Sequence, residues 1–186
     1  MTRPGATGQA LLDAAALAGV VDRLGREITR DYPDGVVLVG LLKSCACFLA
    51  DLARAVRGPC ELDFLGLSSY GDGRTRVRVA KDLDIDVADR DVVVVVDLVD
   101  TGLTLGYVGR LLAARQARSV AACALLDRRN RRVLPVEVRY VGETVGDEYL
   151  VGYGLDLGER FRNLPGIHVA DRDELRNGSG GDAFFA

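Results

Sequence analysis

The segment Val92–Leu105, VVVVVDLVDTGLTL, sets two carboxylates, Asp97 and Asp100, where a run of five valines gives out. Thr101-Gly102-Leu103-Thr104 follows, and then an apolar pattern of helical period begins. In an open α/β sheet, ligands bind at the carboxyl ends of the strands, beside the helix N-termini that follow them. Free backbone N–H groups at such a turn can converge on one anion, and the hydroxyls of Thr101 and Thr104 can add donors. Gly102 lets an anion approach the backbone closely. Carboxylates beside a phosphate cradle suit sugar hydroxyls, a base proton or the waters of Mg²⁺; in direct contact they would repel the phosphate. The alternative is an aspartate that only caps the next helix. There is no GxxxxGK[ST] loop and no GxGxxG after a strand, so neither common mononucleotide nor dinucleotide fingerprint is present.

The elements that must position this segment are legible from periodicity. Leu17, Val20, Val21, Leu24 and Ile28 mark an amphipathic helix over about residues 12–30. The turn signal YPDG precedes VVLVGL (Val36–Leu41), an apolar run expected of a central parallel strand. Phe48, Leu49, Leu52, Ala53 and Val56 form the face of a second helix, with Ser44 as its expected N-cap and Gly58-Pro59 as its stop. LDFLGL (Leu62–Leu67) reads as a strand, and SSYGDGRTRVRVAKDLDID, with Gly71 and Gly73, as a mobile loop or hairpin arm. Val92–Val96 is a buried strand, Leu105, Val108, Leu111 and Leu112 face a third helix, and Val120–Leu126, Val136–Val141 and Tyr149–Val151 complete the strands. The order βαβ, arm, βαβ and further strands predicts a mostly parallel sheet with helices on both faces.

Bulk properties exclude several chemistries. The 186 residues are 48% hydrophobic and 27% charged with a net charge of −3, which argues against a general electrostatic grip on nucleic acid. No apolar run nears the ~20 residues that span a bilayer, and the N-terminal Ala/Leu-rich stretch, interrupted by Asp13, reads as an amphipathic helix; a cytoplasmic protein is expected. A single histidine, His168, disfavours a Ser-His-Asp triad or a multi-histidine metal site. Cys45, Cys47, Cys60 and Cys123 are expected to be buried reduced thiols.

VDLVDTGLTL resembles the phosphoribosyl-pyrophosphate (PRPP) motif of type I phosphoribosyltransferases, and the surrounding chain resembles the hypoxanthine-guanine phosphoribosyltransferases. The matching pieces are LGREIT, VLVGLLK, FLADL, LDFLGLSSYG, KDLDID, LLDRRNRR, VGYGLD and FRNLP, in order from about residue 20 to 170. The resemblance implies a type I phosphoribosyltransferase fold: a mostly parallel central sheet flanked by helices, a mobile loop or hairpin lid, and a small hood built from the terminal segments. It implies one domain over residues 1–175 with a flexible tail over 176–186. The implied reaction is transfer of 5-phosphoribosyl from PRPP to a 6-oxopurine, hypoxanthine or guanine, with release of pyrophosphate and with Mg²⁺ as cofactor. A homodimer or homotetramer is implied as well.

Carried over by position, Asp97 and Asp100 to Thr104 would hold PRPP, and Asp100 would act as general base toward purine N7. Lys43, beside Ser44 in a loop expected to contain a non-proline cis peptide, and Arg162 would bind pyrophosphate. Arg128, Tyr149 and the Leu150 backbone would meet the purine. Asp156, with Asp97 as a second candidate, would face Mg²⁺ through water. Ser69 and Tyr70 would open the lid. The chain departs from the family at Val96, where an acid that contacts ribose hydroxyls is usual, at Arg128 in place of lysine, at Ser44 in place of glycine, at Glu143 in place of an apolar residue, and in a shorter lid. These departures keep open a second reading: a weakly active or non-catalytic paralogue that binds PRPP or a nucleotide as a sensor, regulator or partner.

Overall fold

The computed structural model describes residues 10–70 and 76–170. The tip of the expected lid and the expected tail over 176–186 lie outside the described residues. Six strands form one sheet: β2 (Val36–Leu42), β3 (Cys60–Tyr70), β4 (Arg76–Lys81), β5 (Asp91–Val99), β6 (Ser119–Asp127) and β7 (Tyr140–Thr144). Their order is β4-β3-β2-β5-β6-β7, parallel throughout except for the antiparallel β3–β4 arm. A second sheet joins β1 (Ala10–Leu12), β9 (Ile167–Val169) and β8 (Leu150–Val151), so both ends of the described chain meet in the expected hood.

The five valines follow from burial on both faces. Val93 and Val95 pack with α1 (Ala14–Asp31) and α2 (Ala46–Ala55), whereas Val92, Val94 and Val96 pack with α3 (Leu103–Ala114). Side chains alternate along a strand, so a strand covered on both sides is apolar at every position. α1 buries Leu17, Val20, Val21, Leu24 and Ile28, the stripe that its spacing predicts. It starts later than expected because residues 10–12 belong to β1, and the Asp13 side chain caps it by accepting from Ala16 N at 2.8 Å.

Several expectations need correction. Cys45, not Ser44, is the N-cap of α2, and no side-chain bond caps that helix. The strand expected from Val136 starts only at Tyr140, since the stretch before it crosses the edge of the site as irregular chain. Tyr149 lies just outside β8. Cys45 and Cys123 are buried thiols, burial pushing the former up to about 12, but Cys47 is exposed and Cys60 half-buried. Among the described residues no helix is long and apolar enough to cross a membrane.

Candidate active site

From β2 the chain crosses to β3 on one side, while β5, β6 and β7 succeed one another on the other, so the order reverses between β2 and β5. A crevice must open there, outside the strands' carboxyl ends. A cavity of about 230 Å³ occupies that place, lined from the β2 side by Leu41, Leu42 and Ser44 and from the β5 side by Val96–Thr101 with Gly102, Thr104 and Leu105. The sheet thus brings Ser44, Asp97, Asp100, Thr101, Gly102 and Thr104 to one cavity.

The turn into α3 is held from outside by the chain after β6. Thr101 O accepts from Val133 N at 2.9 Å and from Leu134 N at 3.0 Å. Gly102 has φ +83°, and a Cβ there would stand 2.5 Å from Leu134 O. Glycine is therefore required by this close approach as well as by its left-handed backbone. No side chain caps α3 at Gly102, Leu103 N finding only Thr101 Oγ1 at 3.5 Å. The first-turn N–H groups and the helix dipole therefore favour an anion here. The Leu103 side chain is 54% exposed, so that residue can serve the turn only through its backbone.

Alternation places Asp97 on the opposite face from Val96, toward Ser44 and Cys45. Burial raises the Asp97 carboxyl, opposed by hydrogen bonds from the Ser44 hydroxyl and the Leu98 N–H and by the positive charge of Arg162. Ser44 thus faces Asp97 across the crevice and makes no cap bond to α2. Val96 is buried and presents hydrocarbon to the cavity.

Asp100 meets two guanidinium groups. Arg128 Nη1 stands 3.9 Å from its Oδ2, and Arg131 Nε 3.3 Å from its Oδ1. Oδ1 is shielded from solvent yet accepts no hydrogen bond among the described residues. Arg128 is 6% exposed because its other nitrogens bond the main chain: Nε donates to Gly146 O at 2.7 Å and Nη2 to Glu148 O. These bonds tie the guanidinium to the chain segment that leads into Tyr149 and Leu150. Tyr149 packs beside Val151, Phe161 and Leu164, and its hydroxyl donates to Asp156 O at 3.0 Å.

The remaining candidates form a second cluster. The peptide between Leu42 and Lys43 is cis, as the resemblance implies. Gly154, with φ +101°, lies so close to the β2–α2 loop that a Cβ would stand 2.0 Å from Ser44 O. That contact brings the chain after β8 over the loop. Arg162 donates from Nη1 to Gly154 O at 2.7 Å, and its Nη2 lies 2.9 Å from Asp156 Oδ1 and 3.1 Å from Glu159 Oε2. Lys43 Nζ donates to Glu159 Oε1 at 3.0 Å. The Glu159 carboxyl is held below the usual range by Lys43 and then by Arg162.

Sequence reasoning missed Glu159 and Arg131. The signal for Glu159 was its place midway between Asp156 and Arg162, three residues from each. Arg131 offered no cue beyond being one of several arginines in RRNRR. The backbones of Ser69 and Tyr70 pair with Val77 and Arg76 in the β3–β4 arm. No group of three or more His, Cys, Asp or Glu among the described residues could cage a metal ion. Asp97 and Asp156, single carboxylates that each face Arg162, are the donors that fit Mg²⁺ carried on phosphate oxygens.

Comparisons with known proteins agree with this geometry. The phosphoribosyl transferase domain family matches residues 7–157. A hypoxanthine phosphoribosyltransferase of Salmonella typhimurium is 42% identical over 165 residues, covering 86% of this chain and 93% of that protein. A hypoxanthine-guanine phosphoribosyltransferase of Mycobacterium tuberculosis is 38% identical over 178 residues, covering 90% and 88%. The crystal structure of a Staphylococcus aureus hypoxanthine phosphoribosyltransferase superposes with a TM-score of 0.85 at 35% identity, covering 90% of this chain and 94% of that one. The chain therefore belongs to the type I phosphoribosyltransferases, in the hypoxanthine-guanine phosphoribosyltransferase family.

Proposed function

We propose that the protein is a purine-salvage enzyme that transfers 5-phosphoribosyl from PRPP to hypoxanthine or guanine, giving IMP or GMP and pyrophosphate. The C1–O bond to pyrophosphate breaks, the electron pair leaving with the pyrophosphate, and a bond from purine N9 to C1 forms. The proton lost from the base at N7 passes to Asp100. The observation that carries this reading is the Asp100 carboxylate at the switch-point crevice, 36% exposed at the cavity and positioned by Arg128 and Arg131. A carboxylate so placed can accept a proton as positive charge builds on the base.

The turn Asp100–Thr104 takes the 5-phosphate on the N–H groups of α3, with the hydroxyls of Thr101 and Thr104 as further donors. Lys43, with Ser44 beside it, and Arg162 take the pyrophosphate group. Arg128 donates to the purine O6, Tyr149 stacks on the ring and Leu150 offers its backbone to the exocyclic edge. Mg²⁺, when bound with PRPP, neutralises the leaving pyrophosphate. Asp156 and Asp97 would hold its waters, and each already faces the Arg162 charge. Ser69 and Tyr70 would begin a lid that excludes water, and the working form would be a cytoplasmic homodimer or homotetramer. The test is a product assay with Mg²⁺ and PRPP across hypoxanthine, guanine, xanthine and adenine. Nucleotide should form from the 6-oxopurines and not from adenine; formation from none of them contradicts the proposal.

A further inference from the structure

We propose that Glu159 is an internal anion that competes with the pyrophosphate group for Lys43 and Arg162 and helps to expel it. The inference rests on the transferase reading above and adds a device for product release. One carboxylate serves both cations, Oε1 receiving Lys43 Nζ at 3.0 Å and Oε2 receiving Arg162 Nη2 at 3.1 Å. These are the two side chains assigned to pyrophosphate, contributed by the loop after β2 and the segment after β8, 119 positions apart in the chain (162 − 43). A phosphate oxygen arriving at either cation meets a positive charge that the carboxylate already partly neutralises.

The local backbone is built around this residue. Leu157 and Arg160 exchange N–H···O bonds at 3.2 Å in each direction, closing a two-residue turn over Gly158 and Glu159. Both central residues have positive φ, +59° and +68°. Turns of that kind favour asparagine, aspartate and glycine, and glutamate is an uncommon choice at positive φ. The Glu159 N–H donates to Asp156 Oδ2 at 2.8 Å, which anchors the main chain. The side chain above it is 63% exposed and can swing into water without leaving a buried hole. An exposed ion pair adds little to folding, so stability alone gives weak reason for an acid here.

The test compares binding of pyrophosphate with Mg²⁺, by calorimetry, to the wild type, Glu159→Gln and Glu159→Asn. Asparagine suits a positive φ and so guards against loss of the turn. Both variants should bind pyrophosphate about tenfold more tightly, and pyrophosphate should inhibit the forward reaction more strongly, with KM for the purine unchanged. Unchanged or weaker pyrophosphate binding by either folded variant overturns the proposal. Failure of the transferase reading looks different: the wild type would then neither bind pyrophosphate nor turn over PRPP.

Discussion

Arg128 aims Nη1 at the Asp100 carboxylate from 3.9 Å while Nε and Nη2 are tied to the carbonyls of Gly146 and Glu148. A planar fork can make these contacts together, whereas the single ammonium of lysine cannot. Arg128→Lys should therefore leave a buried carbonyl without its donor and cost about 1–3 kcal/mol of stability. It should also raise KM for the purine while leaving KM for PRPP unchanged. Thermal unfolding and initial rates check both; an unchanged melting temperature would show that the carbonyl bonds contribute nothing.

Val96 is 5% exposed and packs in the same cluster as Leu41 and Leu105, so one wall of the cavity is hydrocarbon where an acid could accept from a ribose hydroxyl. Val96→Glu should add that acceptor and tighten PRPP binding by about tenfold or more. It should also lower the melting temperature, because a carboxylate then enters a buried apolar position beside Leu41 and Leu105. Calorimetry with Mg²⁺ and PRPP decides; unchanged affinity would mean that another group already meets the sugar hydroxyl.

Asp63, 5% exposed, clamps the end of the β3–β4 arm to the core. It accepts from Phe64 N at 2.6 Å, Asp84 N at 2.7 Å and Ile85 N at 2.9 Å, with Lys81 Nζ at 3.4 Å. Burial alone would raise its carboxyl, but these donors outweigh it and the net shift is downward. A carboxyl lowered by folding stabilises the native state above its unfolded pKa, about 4, and that stabilisation is lost as pH falls through the lower native value. Asp63→Asn should thus cost about 1–3 kcal/mol at pH 7, and the gap from the wild type should close as pH falls below about 4. A gap of constant size across that range would contradict the assignment.

Residues with a strong local pattern are legible in the sequence alone. Val92–Val96 announces a strand buried on both faces, and the α1 stripe from Leu17 to Ile28 is the one that packs. The turn Asp100–Thr104 is likewise a local arrangement, and it lines the cavity where expected. What escaped notice depends on distant chain. β1, β8 and β9 have only two or three residues each, too few to show a period, and pair only because the two ends of the described chain meet. Ser44 looks like a cap by composition, but it faces Asp97 at the end of the neighbouring strand β5, and α2 is capped one residue later, at Cys45. Glu159 sits in a turn whose positive φ values no glutamate would suggest.

Asp100 carries the proton transfer on which the proposed reaction depends. The measurement is the initial rate of IMP and GMP formation from hypoxanthine and guanine with saturating Mg²⁺ and PRPP, wild type against Asp100→Asn. Asparagine keeps the shape of the side chain but cannot accept the N7 proton as a carboxylate does. The wild type should turn over, and the variant's kcat should fall by about 10²–10⁴ with its fold and its KM for PRPP nearly unchanged. A variant of nearly full activity, or a wild type that binds PRPP and forms neither nucleotide, would contradict the account.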